Sequence, residues 1–138
     1  MLYTLPPEVK YNPLLPDLPK KGWKYSMHAH KNRSGTHYDI MLAPPNQLIA
    51  YAWSTKTLPF KDTEVKAYRS KDKLVDKLTY NGIFLNRTGY HKKKLLAHED
   101  LGDVTVDANG INFQTSQGNF RLENVKGKKY IIRGIDGK

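Results

Sequence analysis

The sequence predicts an all-β fold, a closed barrel or a sandwich. Three observations carry that expectation. Short runs rich in Tyr, Val, Ile, Phe and Trp recur at close spacing along the chain, and such residues suit a pleated, half-buried surface. Gly, Asn and Asp punctuate the runs, as turns between strands require. The chain has 138 residues, of which 38% are hydrophobic and 26% charged. That is enough for one domain with its own core and too apolar for a disordered chain.

The first 21 residues stand apart, with five of the eight prolines at Pro6, Pro7, Pro13, Pro16 and Pro19. Proline fixes φ and biases the preceding residue toward extended structure. Residues 1–21 are therefore expected to form an extended arm packed on the domain through Leu14, Leu15 and Leu18, with residues 22–138 as a single β domain. The expected strands are Trp23–His30, His37–Leu42, Leu48–Trp53, Thr63–Arg69, Gly82–Leu85, Lys94–His98, Val104–Asp107, Ile111–Thr115, Phe120–Asn124 and Tyr130–Arg133. Asp107-Ala-Asn-Gly110 and Ser116-Gln-Gly118 read as tight turns between them. One short helix is expected over Lys71–Leu78, with Ser70 as N-cap and Leu74, Val75 and Leu78 on one face.

Lys and Arg number 23 against 13 Asp and Glu, a formal charge of +10. Such a surplus serves solubility, but it also draws polyanions over a Debye length. Nucleic acid is the commonest such partner; an anionic membrane surface or an acidic protein would feel the same field. The chain has no cysteine. That excludes a disulfide scaffold, a thiolate zinc site and a cysteine nucleophile, and fits a cytoplasmic setting. No apolar stretch is long enough to span a membrane, and MLYTLPPEVK lacks the pattern of a secretory signal. Walker, Gly-rich phosphate-loop and Gly-x-Ser-x-Gly patterns are absent.

The most informative stretch is Trp23–Leu42. Two strand-like runs flank the polar segment Lys31-Asn-Arg-Ser-Gly-Thr36, which reads as a hairpin loop. Symmetric closure about it sets His30 opposite His37, His28 opposite Asp39 and Ser26 opposite Met41. Because side chains alternate along a strand, His28, His30, His37 and Asp39 share one face. Trp23, Tyr25, Met27, Ala29, Tyr38, Ile40 and Leu42 share the other, a core face. Imidazoles and a carboxylate gathered in this way suit a divalent cation, with open positions left for substrate and water. A solvated hairpin face that happens to hold histidines is the plainer alternative.

At His37-Tyr38-Asp39 the chain resembles the 3′-phosphoesterase module of bacterial DNA ligase D. The matching features are His30, the basic loop with Lys31 and Arg33, and His37-Tyr-Asp-Ile-Met-Leu42. Weaker matches are Ala50-Tyr-Ala-Trp-Ser-Thr-Lys56, Tyr80-Asn-Gly-Ile-Phe84 with Thr88-Gly-Tyr90, and the stretch from Gly118 to Arg133. The resemblance implies a compact closed β-barrel with a polar interior. It implies manganese-dependent trimming of a 3′-terminal ribonucleotide and removal of a 3′-phosphate, with His30, His37 and Asp39 as metal ligands and His28 as a neighbour or substitute. Zinc is the alternative metal. The implied partner is a DNA or RNA 3′ end, with a ligase or another repair protein as a possible companion and no membrane. Two family features are missing: Met41 stands where the family has a phosphate-binding arginine, and a second-half histidine has no counterpart near Ala67–Asp72. Lys56, Arg69 and His91 are the candidates to supply the catalytic groups. Lys31, Arg33, Lys66, Lys71, Tyr90, Lys92, Lys93 and Lys94 are the candidates to hold nucleic acid, the last three as a basic insertion that clamps phosphates. His98-Glu-Asp-Leu-Gly-Asp103 is a second, weaker cluster of metal-ligating types. A barrel that has lost its chemistry and acts as a nucleic-acid-binding or protein-interaction module is the competing expectation.

Overall fold

The computed structural model describes residue 14 and residues 18–59 and 64–135. Most of the expected arm, Leu15 included, lies outside the described residues. Leu14 and Leu18 do pack against the main core.

Among the described residues, ten antiparallel strands form one sheet: β1 (Lys24–Asn32), β2 (Gly35–Ala43), β3 (Ile49–Thr55), β4 (Glu64–Leu74), β5 (Gly82–Asn86), β6 (Gly89–Asp100), β7 (Thr105–Val106), β8 (Gly110–Thr115), β9 (Gly118–Lys126) and β10 (Lys129–Ile135). Their order across the sheet is β5-β6-β1-β2-β3-β4-β10-β9-β8-β7. The all-β expectation holds. Every expected strand lies on an observed one, most of them shifted or extended by a few residues. The largest change is in β6, which begins at Gly89 rather than Lys94 and so makes the expected basic insertion part of a strand.

The sheet is open, which overturns the closed barrel. β5 and β7 form its edges and do not pair with each other. It nevertheless rolls far enough that Tyr25 on β1 and Phe113 on β8, with five strands between them in the sheet order, have ring centroids 6.2 Å apart. The seam is bridged by other groups. Leu101 N–H donates to the Trp23 carbonyl at 2.9 Å and Val104 N–H to the Lys20 carbonyl at 2.8 Å, while Glu99 accepts from the Ser116 backbone and hydroxyl. Backbone groups between β6 and β7 are thus satisfied by the chain entering β1, and no closing ladder forms among the described residues.

The interior is not polar. It is an aromatic and aliphatic core of Trp23, Tyr25, Ile40, Leu42, Trp53, Ile111, Leu122, Ile132 and their neighbours. Alternation sends the histidine face of β1 and β2 to the opposite, outer side of the roll. Part of that outer face is covered. A single 3₁₀ turn, Val75–Thr79, crosses it and packs Leu78 against Met41, Ala43, Ala50 and Ala52. The alanines allow the turn to approach closely.

That turn replaces the expected helix. Lys71–Leu74 continue β4 beyond a bulge, where Lys73 pairs with Ala50 and Leu74 with Ile49. Ser70 lies within the strand and caps nothing. Cross-strand hydrogen bonds outweigh a weak helical pattern there, and the Arg69 guanidinium compensates the buried carboxylate of Asp72. Among the described residues, no helix is long and apolar enough to cross a membrane.

Candidate metal centre

The register of β1 and β2 matches the symmetric hairpin. His30 pairs with His37, His28 with Asp39 and Ser26 with Met41. The strands run further than expected, so the connection shortens to Arg33-Ser34. Gly35 follows with φ of +120°, a conformation that glycine tolerates best. Asn32 Oδ1 accepts from Ser34 N–H at 2.8 Å and braces the turn.

His30, His37 and Asp39 offer one ligand atom each, all within 4.8 Å of one another. His30 Nδ1 lies 3.0 Å from Asp39 Oδ2, and His37 Nε2 lies 3.1 Å from Asp39 Oδ1. Lys93 Nζ, from β6, also reaches Oδ2 at 3.1 Å. The carboxyl of Asp39 is buried, which alone would raise its pKa. The hydrogen bonds from His30 and His37 and the charge of Lys93 outweigh burial and hold it far below the ordinary carboxylate range. It is therefore an anion at neutral pH, as a metal ligand must be.

Behind the triad stands a second row of partners. His91, buried on β6, places Nδ1 2.8 Å from His30 Nε2. Its Nε2 meets Thr88 Oγ1 at 2.6 Å and Asn86 Oδ1 at 3.2 Å, and its ring stacks on Phe84 at 4.8 Å and 5°. Burial, then the neighbouring His30, His37 and Lys93, lowers the pKa of His91 and keeps it neutral. A metal-binding histidine commonly donates its other ring N–H to such a partner, which fixes its orientation.

Each expected site residue has a definite place. His28 is fully buried beside the triad but outside it: Nε2–H donates to the Tyr80 carbonyl at 2.8 Å, and burial lowers its pKa. It braces the wall of the site. His91 joins the site, from a strand rather than from the expected loop. Lys56 lines an open cavity of about 520 Å³ together with His37, Ser54 and Tyr68. Arg69 is not brought to the site. Its guanidinium lies over the Tyr51 and Trp53 rings on the core side and pairs with buried Asp72 at 2.9 Å. Of the basic run, Lys93 faces the triad, while Lys92 and Lys94 alternate to the other face and are exposed. Lys31, Arg33, Lys66, Lys71 and Tyr90 are exposed and do not touch the triad. The second cluster disperses: Asp100 pairs with Lys24, Asp103 with Lys21 and Glu99 with Ser116.

Sequence reasoning missed Phe84, Asn86, Thr88 and the role of Lys93 as partner of Asp39. The available signal was alternation along β6, which sets His91, Lys93 and Leu95 on one face, opposite Phe84 on β5.

Compared with known proteins, the chain matches no protein-family model and no curated protein.

Proposed function

We propose that the protein is a divalent-metal-dependent phosphoesterase acting at the 3′ end of a nucleic-acid strand, removing a 3′-phosphate or a terminal ribonucleotide. The observation that carries this reading is the His30–His37–Asp39 group, two imidazoles and an ionised carboxylate within 4.8 Å on one sheet face. Such a donor set suits a divalent transition metal, with positions left open for substrate; manganese is the metal that the resemblance to the phosphoesterase module implies, with zinc as the alternative. A divalent cation held there would supply positive charge to polarise a phosphoryl oxygen and activate the attacking water.

The chain's own residues supply the rest. Asp39 orients both imidazoles. His91 holds His30 from behind. Lys93 stands where an ammonium can reach a phosphate oxygen, and it substitutes in charge for the arginine replaced by buried Met41. Lys56, beside His37, offers a second cation on the opposite side. The net charge of +10 draws the strand toward the site. The reading places the protein in cytoplasmic DNA repair, alone or beside a ligase.

The test is incubation of a 3′-phosphorylated oligodeoxynucleotide with the protein and Mn²⁺. Inorganic phosphate is expected to be released, and Asp39→Asn is expected to stop it. A second reading, a binding module without chemistry, is favoured by the Lys93–Asp39 ion pair, which sets a cation where a metal would compete. Strand binding without phosphate release at saturating Mn²⁺ would establish that reading instead.

A further inference from the structure

We propose that the cavity lined by Lys73, Lys77, Tyr80, Phe84 and Lys93 is a nucleotide-binding subsite, holding a base-and-phosphate unit beside the metal centre. The proposal deepens the phosphoesterase reading and rests on it only for what happens at the adjoining phosphate. The cavity measures about 370 Å³, room for one nucleotide unit rather than a folded strand.

Its chemistry is specific. Three lysines line it from three elements, β4, the 3₁₀ turn and β6, and no acidic residue is among its described lining residues. That favours an anion. The two remaining lining residues are aromatic, Tyr80 and Phe84, set edge to face at 5.9 Å and 77°. Lys77, itself exposed, places Nζ 5.5 Å from the Tyr80 ring centroid, within cation–π range. Cations beside rings match a ligand with a phosphate beside a flat base. Inorganic phosphate would use only the lysines.

Its position joins it to the triad. Lys93 lines this cavity and reaches Asp39 Oδ2, while His37 reaches Oδ1 and lines the separate cavity with Lys56 and Tyr68. The two oxygens of Asp39 thus face residues of two different cavities. A strand crossing the triad has a place on each side of it.

The experiment uses the full chain in metal-free buffer with chelator. Adenosine 3′-monophosphate and inorganic phosphate are titrated by NMR, and a labelled 3′-phosphorylated hexanucleotide by anisotropy. Adenosine monophosphate is expected to bind more tightly than phosphate and to shift the amides of Lys77, Tyr80 and Phe84. Tyr80→Leu is expected to lower nucleotide affinity about tenfold and leave phosphate affinity unchanged. Lys73→Glu/Lys77→Glu is expected to weaken the hexanucleotide at least about tenfold, and Lys73→Gln/Lys77→Gln by a smaller step, whereas the matched reversal Lys126→Glu/Lys129→Glu changes it less than about twofold. Equal losses in the two reversals would mean diffuse attraction. Equal binding of phosphate and nucleotide, or equal competition by a glutamate peptide, would mean a general anion site. Each of these results overturns the proposal. Mn²⁺ affinity and phosphate release, measured on the same proteins, judge the phosphoesterase reading separately.

Discussion

His30 Nε2 and His91 Nδ1 face each other at 2.8 Å across β1 and β6. Only one of the two nitrogens can carry the bridging proton. While Asp39 accepts from His30 Nδ1–H, a neutral His30 must accept at Nε2 from His91. With the Nδ1 position of His30 given to a cation, His30 would carry its proton at Nε2 instead. His91 would then accept at Nδ1 and carry its own proton at Nε2, within reach of Asn86 Oδ1. His91→Gln is therefore expected to lower Mn²⁺ affinity about 10–100-fold, the usual cost of removing an outer partner of a metal ligand. Mn²⁺ titration followed by electron paramagnetic resonance checks the loss. Imidazole nitrogen shifts, recorded with diamagnetic Zn²⁺, check the tautomer exchange. An unchanged affinity would reduce His91 to packing against Phe84.

The hairpin that carries His30, His37 and Asp39 was legible in the sequence because its polar segment is short and its flanks alternate cleanly. A slip of one residue would have put Tyr25 and Ile40 in solvent, so the core fixed the register. His91 and Lys93 were harder to place. Their strand was expected to begin at Lys94, and three consecutive lysines hide the alternation that turns the middle one inward. The roll of the sheet was not legible at all. Closure depends on whether residues 101–104 bond to a neighbouring strand or to Lys20 and Trp23, and nothing local in the sequence decides that. Likewise Lys71–Leu78 has helical spacing, but its fate was set by pairing with Ile49 and Ala50.

Arg69 illustrates a basic residue whose work is structural. It lies over Tyr51 and Trp53 and ion-pairs with Asp72, whose side chain is fully buried. Arg69→Gln leaves that carboxylate without its guanidinium partner and is expected to cost up to about 3–5 kcal/mol. Chemical denaturation reads the loss. Mn²⁺ affinity of the still-folded variant is expected to match the parent; a selective loss of phosphate release at unchanged stability would return Arg69 to the site.

Gly110 marks a close approach of β8 to β9. A Cβ at that position would lie 2.2 Å from the Leu122 carbonyl oxygen. Gly110→Ala must push the two backbones apart where Gly110 pairs with Glu123. The expected loss is about 3 kcal/mol or more, at the strained end of the range for single substitutions, seen as a lower denaturant midpoint. An unaffected midpoint would mean that the strand end shifts freely.

Asp107 gives a pH dependence away from the metal centre. Hydrogen bonds from Arg121 and from the Asn109 backbone, with Arg121's charge and the Gly110 N–H adding to them against a small burial penalty, bring its pKa down to about 2. A depressed carboxylate pKa stabilises the fold above the unfolded value near 4, and that contribution fades as pH falls through 4 toward 2. Asp107 is more than half exposed, so screening limits its contribution to less than about 1 kcal/mol. Asp107→Asn should cost that amount at pH 7 and progressively less as pH falls through 4 toward 2 and below. Parallel stability curves for parent and variant across that window would contradict the assignment.

Lys93 allows a prediction in which two properties move in opposite directions. Its ammonium, only 12% exposed, lies 3.1 Å from Asp39 Oδ2. In the absence of a metal it helps hold the carboxylate ionised. With a divalent cation at the triad the two positive charges compete for the same oxygen, and with a phosphate present Lys93 gains another anionic partner. Lys93→Met keeps the length of the stem and removes the charge. Mn²⁺ is then expected to bind about tenfold more tightly, a modest share of the Coulomb energy available at this separation. Phosphate release from a 3′-phosphorylated strand is expected to fall by a similar factor, because a cation that meets the phosphate has gone. A variant that binds metal more tightly and also turns over faster would show Lys93 to be an inhibitor of the site. A variant that loses both would show that Lys93 mainly keeps Asp39 ionised.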